Sequence, residues 1–290
     1  MVISCRRCGE WRRVKLFRCD KCLLAQYCSR ACQREDWRIH KPSCSSNWDP
    51  STSHALVEAL IEASASAELE AIKYLVSTLG ADPEHVLLAG PNVYVFPLGA
   101  AAQKGHPSSI RTLLDLGVAC NQTAGPLRTS ALYIASAEGQ VAVIDLLISR
   151  GANVDHARSD GATAASVAAQ EGNVEALSRL LIQGASANTS NREGVTPMYL
   201  AAQNGHASSL QSLIANGGAV DQATLHGETP LMAAVEAGHE SIVGLLLSNG
   251  CNAQLKDDLG RTALDLAITH KYPSVEAILQ AHINRQRASV

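Results

Sequence analysis

From residue 54 onward, pairs of small apolar residues and leucine-rich runs return on a fixed spacing. Alanine pairs stand at Ala101-Ala102, Ala168-Ala169, Ala201-Ala202 and Ala233-Ala234, and leucine-rich stretches such as Leu245-Leu246-Leu247 follow them. A turn glycine falls at Gly105, Gly139, Gly172, Gly205 and Gly238, in steps of 34, 33, 33 and 33 residues. A second glycine falls at Gly161, Gly194, Gly227 and Gly260, again 33 apart. A hydroxyl-proline pair marks the same register at Thr196-Pro197 and Thr229-Pro230, with variants Phe96-Pro97, Ser130-Ala131, Thr163-Ala164 and Thr262-Ala263. The pattern predicts a helix, a turn and a second helix in every period. Threonine caps the first helix, and proline takes the first turn, where its missing N–H is not needed. Paired alanines let neighbouring helices approach closely, and the leucines bury between periods. Gly151, Gly184, Gly217 and Gly250 then end the second helix in a left-handed cap. One period cannot bury its own apolar face, so stability must come from stacking.

Six such units begin near Tyr94, Arg128, Gly161, Gly194, Gly227 and Gly260. Residues 54–93 read as a divergent capping unit, with helices over Leu56–Ala63 and Glu68–Leu79 and a unit-like ending at Gly80-Ala81-Asp82. The period, and Gly-Glu-Thr-Pro-Leu-Met-Ala-Ala-Val-Glu-Ala-Gly-His at 227–239 in particular, resembles the ankyrin repeat. The histidine usual after Thr-Pro-Leu in that family is replaced by Gly99, Tyr133, Ser166, Tyr199, Met232 and Asp265. A local hydrogen bond is therefore expected to be lost in each repeat. Cys120 and Cys251 read as small hydrophobes, and His106, His206 and His239 as turn hydrogen-bonders.

The resemblance implies a cupped binding surface made by hairpin tips and inner helices. Mapped residue by residue, its inner-helix positions include Gln103, Lys104, Glu138, Gln170, Glu171, Gln203, Asn204, Glu236 and His270. The tips include Arg192-Glu193, Leu225-His226 and Asp258-Leu259. The strip is polar, amide-rich and slightly acidic, suited to a basic or polar protein segment.

Composition agrees with stacked helices: aromatics are 4% while hydrophobic residues reach 46%, so the apolar weight lies in small and aliphatic side chains. A large mixed sheet would use more β-branched and aromatic residues. No run approaches the ~18 apolar residues needed to span a bilayer, and the start of the chain has no apolar signal segment. An intracellular protein, cytoplasmic or nuclear, is the expectation.

Cysteine and charge separate the first 44 residues from the rest. Seven of nine cysteines lie there, with 11 basic against 4 acidic side chains; the remainder holds 13 basic and 23 acidic. Clustered cysteines without an export signal point to metal. The candidate donors are Cys5-x2-Cys8, Cys19-x2-Cys22, Cys28-x3-Cys32 and His40-x3-Cys44. Eight ligands fit two closed, tetrahedral structural zinc sites, which leaves no open position for catalysis. Spacing does not say which pairs share an ion, because sequential and interleaved arrangements both satisfy the count. The run 19–44, with Tyr27 before Cys28, Gln33 after Cys32, then Asp36-Trp37, His40 and Cys44, resembles a MYND finger. That resemblance implies interleaving: Cys5, Cys8, Cys28 and Cys32 on one Zn²⁺, and Cys19, Cys22, His40 and Cys44 on the other. It also implies docking of short proline-containing peptides near Gln33 and Trp37. An aromatic face suits a proline ring, and a glutamine amide pairs with an extended backbone. A helix over Arg30–Lys41, capped by Ser29 and stopped by Pro42, would carry both residues.

The expected organisation is mainly α: a small two-zinc finger at 1–48, a linker at 49–53, the capping unit at 54–93 and six ankyrin repeats at 94–290. The expected function is a non-enzymatic protein-interaction adaptor or scaffold, with a proline-containing peptide at the finger and a second protein at the repeats, and with no membrane partner. Two alternatives come from other classes. MYND fingers also occur inside lysine methyltransferases, but repeats consume residues 54–290 and leave no room for a methyl-donor domain. Nucleic-acid binding by the basic head is disfavoured, because seven thiolates and two zinc ions lower its charge from +7 to near +4.

Overall fold

The computed structural model describes residues 3–4, 11–12, 17–18, 26–27, 54–91 and 93–288. Among them the architecture is a row of seven helix pairs. The first pair is α1 (His54–Ala65) with α2 (Leu69–Ser77), close to the helices expected for the capping unit. Then come α3 (Pro97–Gln103) with α4 (Pro107–Asp115), α5 (Ala131–Ala137) with α6 (Val141–Ser149), and α7 (Ala164–Gln170) with α8 (Val174–Ile182). The row continues with α9 (Pro197–Gln203) and α10 (Ala207–Ala215), then α11 (Pro230–Glu236) and α12 (Glu240–Ser248). It closes with α13 (Ala263–His270) and the longer α14 (Pro273–Ala288). The first helices of successive pairs pack side by side in one layer, and the second helices in another.

The first helices are short because a cap and a glycine bound each of them. Hydroxyls of Ser130, Thr163, Thr196, Thr229 and Thr262 accept from the N–H three residues on, satisfying one of the free donors at each helix start. Their faces are built of alanine: Ala101, Ala102, Ala168, Ala169, Ala201, Ala202 and Ala234 are fully buried, and Ala233 nearly so. The leucines fill the space between layers, so that one continuous core runs from Leu56 to Ile283. Gly151, Gly184, Gly217 and Gly250 follow the second helices with φ of +90°, +93°, +80° and +82°, the left-handed ending expected of them.

Three hydrogen-bond ladders stitch the pairs together with the sequence period. At the tips, the N–H groups of Ser159, Arg192, Leu225 and Asp258 donate to the carbonyls of Leu127, Asp160, Glu193 and His226 at 2.9–3.0 Å. Behind the second helices, Asn121, Asp155, Asn188 and Asp221 accept from the N–H of Asn153, Ser186, Ala219 and Asn252 at 2.7–3.0 Å. At the inner turns, Gln140, Asn173 and His239 reach back to carbonyls at the end of the preceding first helix. His239 Nε2 lies 3.1 Å from the Gln203 oxygen, the turn role expected of these histidines. The capping pair joins the row through Glu84, whose carboxylate accepts from the Ala119 N–H at 2.7 Å.

One expectation is corrected. Replacing the usual histidine does not cost every repeat its local hydrogen bond. Ser166 Oγ accepts from the Thr163 N–H at 2.9 Å, and Asp265 Oδ2 accepts from the Thr262 N–H at 2.8 Å. Met232 Sδ takes the same place more weakly, 3.5 Å from the Thr229 N–H. A short acceptor at this position completes the capping box as histidine would. The two tyrosines instead reach toward the tip of the next repeat: Tyr199, itself buried, donates to Glu228 at 3.0 Å, and Tyr133 lies beneath Arg158.

Among the described residues, four short strands fall within the first 27 positions. β1 (Ile3–Ser4) pairs antiparallel with β2 (Trp11–Arg12), and β3 (Phe17–Arg18) with β4 (Gln26–Tyr27). Two further hairpins join β5 (Leu87–Gly90) to β6 (Val93–Val95) and β7 (Thr123–Ala124) to β8 (Thr129–Ser130).

Candidate functional site

The nine inner-helix positions named from the sequence fall at or just beyond the ends of the first helices. Gln103, Lys104, Glu138, Gln170, Glu171, Gln203, Asn204 and His270 are exposed, and Glu236 is half-buried. Because the first helices lie side by side, these side chains form one continuous strip. Its amides are only partly engaged locally: Gln170 donates to Glu171 at 3.1 Å, and Asn204 to the Leu200 carbonyl at 2.9 Å. His270 stacks on Tyr272, with ring centroids 5.9 Å apart and 12° between planes. The tips beside the strip are also exposed, and Leu225 and Leu259 stand 70% and 76% open. The surface offers amide donors and acceptors, scattered carboxylates and isolated apolar knobs. Such a surface suits a polypeptide better than an enclosed small molecule.

Sequence reasoning missed a pocket of about 280 Å³ in the middle of this surface, lined by Tyr133, Arg158, Asp160, Ser166, Gln170 and Asn191, among others. It opens because Ser166 stands between Tyr133 and Tyr199 at the equivalent positions of adjacent repeats. Arg158 forms one wall. Its guanidinium carbon lies 4.7 Å from the Tyr133 ring centroid, and Nη2 donates to Asp160 at 2.8 Å. Its Nε is buried and has no acceptor. Burial raises the Tyr133 hydroxyl pKa, the Arg158 charge and hydrogen bond oppose that shift, and Asp160 and Glu171 add to it. The sequence shows that Ser166 and Arg158 differ from their counterparts in the neighbouring repeats, but nothing in it places the two at one pocket.

The two cysteines of the repeats are not reactive groups. Cys251 is fully buried, and burial followed by the Asp221 charge pushes its thiol up to about 12. Burial also raises the Cys120 thiol, which donates to the Leu147 carbonyl at 3.4 Å. Neither forms thiolate readily at neutral pH.

The eight proposed zinc ligands, together with Gln33 and Trp37 and the helix expected to carry them, lie outside the described residues. What is described is their framework. Cys5 and Cys8 fall in the six-residue connection between β1 and β2, and Cys19 and Cys22 in the connection between β3 and β4. A paired ladder closing on Cys-x2-Cys fits the donor chemistry of a thiolate-bound ion. Among the described residues no group of His, Cys, Asp or Glu is placed to hold a metal, and no helix is long and apolar enough to cross a membrane.

Comparison with known proteins follows the same division. The MYND finger family matches residues 5–44, and the ankyrin repeat family, in three copies, matches 60–158, 132–224 and 200–287. Similar curated proteins share only a short stretch. Deformed epidermal autoregulatory factor 1 of Drosophila melanogaster is 38% identical over 61 residues, which is 21% of this chain and 10% of that protein. N-lysine methyltransferase SMYD2-A of Danio rerio is 42% identical over 60 residues, 19% of this chain and 14% of the relative, in the finger region. Tudor domain-containing protein 1 of Oryzias latipes is 46% identical over 48 residues, 17% of this chain and 4% of its own length. The chain thus spans less than a fifth of the length of these relatives, and what it has in common with the methyltransferase is the finger. With its period, its helix pairs and a family match over most of its length, the chain belongs to the ankyrin-repeat family and carries a zinc-binding MYND finger ahead of the repeats.

Proposed function

We propose that this protein is a non-enzymatic adaptor in which the finger docks a short proline-containing peptide and the repeats hold a second protein. The observation that carries the reading is the exposed strip of amides and carboxylates, from Gln103 to His270, recurring at the ends of the packed first helices. The organisation we infer is a finger at 1–48, a linker at 49–53, a capping unit at 54–93 and six repeats at 94–290. Two ligands joined by one chain gain affinity through effective concentration whenever both are present in one assembly.

In the finger, Cys5, Cys8, Cys28 and Cys32 would hold one zinc ion and Cys19, Cys22, His40 and Cys44 the other. Both ions would be structural, supplying folding free energy to a domain of some 40 residues that is too small to bury a sufficient core. Gln33 and Trp37 would then contact the peptide. An intracellular site, cytoplasmic or nuclear, suits reduced thiolates.

The test is affinity capture with the intact chain, a Trp37→Ala variant and a Gln203→Lys/Asn204→Lys variant of the strip. Loss of proline-containing partners with the first, and of a different set with the second, is expected. Identical capture by all three chains would remove the adaptor reading. The likeness to a lysine methyltransferase motivates one control. Calorimetry should detect no binding of a methyl donor, and stoichiometric binding would replace the proposal with an enzymatic one. Binding to DNA with a steep salt dependence would favour a nucleic-acid role.

A further inference from the structure

The Ser166 pocket has a composition that selects its occupant. At about 280 Å³ it falls below the usual range for drug-sized ligands, about 300–1,000 Å³, and above the ~150 Å³ that holds a benzene ring. It is the size of one long side chain with a water or two. Two departures from the period build it. The first is Ser166, a small residue where the flanking repeats carry Tyr133 and Tyr199. The second is Arg158. At the equivalent tip positions Asn191, Thr224 and Asp257 each accept from two N–H groups of their own turn, those of Glu193 and Val195, of His226 and Glu228, and of Leu259 and Arg261. Arginine has no acceptor and cannot do this. The turn nevertheless keeps its backbone bonds, with Arg158 N–H donating to Ala162 and Gly161 N–H to Arg158, as in the Asn191 turn. Asp160 supplies a substitute cap to the Ala162 N–H at 3.1 Å. The tip gives up its cap and gains a guanidinium over the Tyr133 ring, 84% out of solvent, with a buried Nε–H lacking an acceptor.

Charge narrows the choice of ligand. Arg158 is already neutralised by Asp160 at 2.8 Å, and Glu171 lies close enough to bear on Tyr133. An anion entering the pocket meets two carboxylates for one guanidinium, whereas a cation finds both carboxylates already engaged, Asp160 by Arg158 and Glu171 by Gln170. A neutral group with both an acceptor and donors avoids both penalties, and the pocket wall offers partners of both kinds in Arg158, Asp160, Gln170 and Asn191. We propose that the pocket binds a carboxamide, the side chain of an asparagine or glutamine on a partner segment lying along the strip. This rests on the reading of the strip as a protein-binding face and adds the residue it recognises.

The direct test uses fragments on the full chain, with nuclear magnetic resonance following the side-chain N–H signals of Arg158, Gln170 and Asn191. Propionamide should shift them in a saturable way, while propionate and propylammonium at equal concentration should not. Ser166→Tyr should abolish the response, and because tyrosine occupies this position in both flanking repeats, the variant should fold; its far-UV spectrum and melting confirm that. Preference for propionate or propylammonium, equal response to all three, no response, or a response surviving in folded Ser166→Tyr would each overturn the assignment. Random-peptide display on the full chain separates this from failure of the strip. Enriched peptides should carry a fixed Gln or Asn whose change to Glu or Lys weakens binding about tenfold or more. Peptides that are lost with Gln203→Lys but show no such residue would retire the pocket and keep the strip. If fragments bind but no enriched peptide depends on Gln203, the pocket stands and the strip reading falls.

Discussion

Asn188 grips the next repeat through Ala219: its Oδ1 accepts from the Ala219 N–H at 2.7 Å, while its Nδ2 donates to the Gly217 carbonyl at 3.1 Å. One side chain thus spans 29 to 31 residues of sequence and fixes the register between two units. In a stacked array each unit is stabilised chiefly by its neighbours, so such a rung contributes to coupling as well as to local order. Asn188→Ala should cost about 1 kcal/mol, since both partners remain open to water. Amide exchange at Ala219 should accelerate with it. An unchanged melting point together with unchanged Ala219 protection would show that the ladder is incidental.

Two glycines should respond differently to the same substitution. Gly194 has φ +80°, and a Cβ there would lie 2.7 Å from the Leu225 backbone nitrogen, part of the tip ladder. Gly151 has φ +90°, but a Cβ there meets nothing within 4 Å. Left-handed backbone costs an L-residue about 1–2 kcal/mol at either position. The collision at the tip adds roughly 1–3 kcal/mol, because backbone must move to relieve it. Chemical denaturation should therefore show Gly194→Ala at least twice as damaging as Gly151→Ala. Equal losses would mean that the tips yield without cost.

The contrast between these glycines also marks what could be read in advance. Residues such as Thr229, Pro230, Ala234, Gly238 and Gly250 recur at the same register in most units, so their spacing reveals the helices, caps and turns directly. Ser166 and Arg158 carry no signal of that kind. Each is unremarkable alone, and the pocket exists only because Tyr133 and Tyr199 flank the one and a capping residue is missing at the other. The fate of the histidine's bond is hidden for a related reason: whether Ser166 or Asp265 takes it over depends on side-chain reach, which the period does not display. Cross-repeat geometry of this sort becomes visible only when the units are stacked.

Two buried serines are poorly matched to their surroundings. Ser109 and Ser209 are fully buried with hydroxyls that have no partner, at the position where other repeats place Val143, Ala176 and Ile242. Ser136 is equally buried, but its hydroxyl donates to the Leu132 carbonyl at 2.8 Å. An unsatisfied buried hydroxyl costs on the order of 1 kcal/mol or more. Ser109→Ala and Ser209→Ala should each raise the melting temperature, and Ser136→Ala should not. A loss of stability at both sites would mean that the hydroxyls find partners in solution.

Asp257 makes the last full turn sensitive to acid. Burial pushes its carboxyl up, but hydrogen bonds from the Arg261 N–H and guanidinium, that guanidinium's charge and the Leu259 N–H outweigh burial and hold it below its ordinary 3.8. The Arg261 guanidinium donates at 2.7 Å to a carboxylate only 2% exposed. A carboxyl whose pKa falls on folding stabilises the fold fully above its unfolded value, and that stability disappears as pH drops through the folded one. Asp257→Asn keeps an acceptor for the turn, as Asn191 does, and loses the ion pair, at a cost of about 1 kcal/mol near neutrality. The gap between the two proteins should narrow once pH falls below 3.8. A gap constant from neutrality into that range would exclude the carboxylate as its source.

Metal removal should divide the chain in two. Nine cysteines are present, seven of them before residue 45, while Cys251 is fully buried in the repeats and Cys120 is half-buried against Leu147. If eight ligands hold two ions, a chelator should release two zinc per chain and raise the count of reactive thiols by seven. The repeats owe nothing to metal, so their helical signal and melting transition should persist. The finger should unfold, because metal supplies about 10–16 kcal/mol apparent per structural zinc in finger peptides. One zinc per chain, or fewer than seven new thiols, would show that the ligand set is smaller than proposed. Loss of the repeat transition along with the zinc would show instead that finger and repeats fold as one unit, and the two recognition surfaces would then have to be treated as coupled.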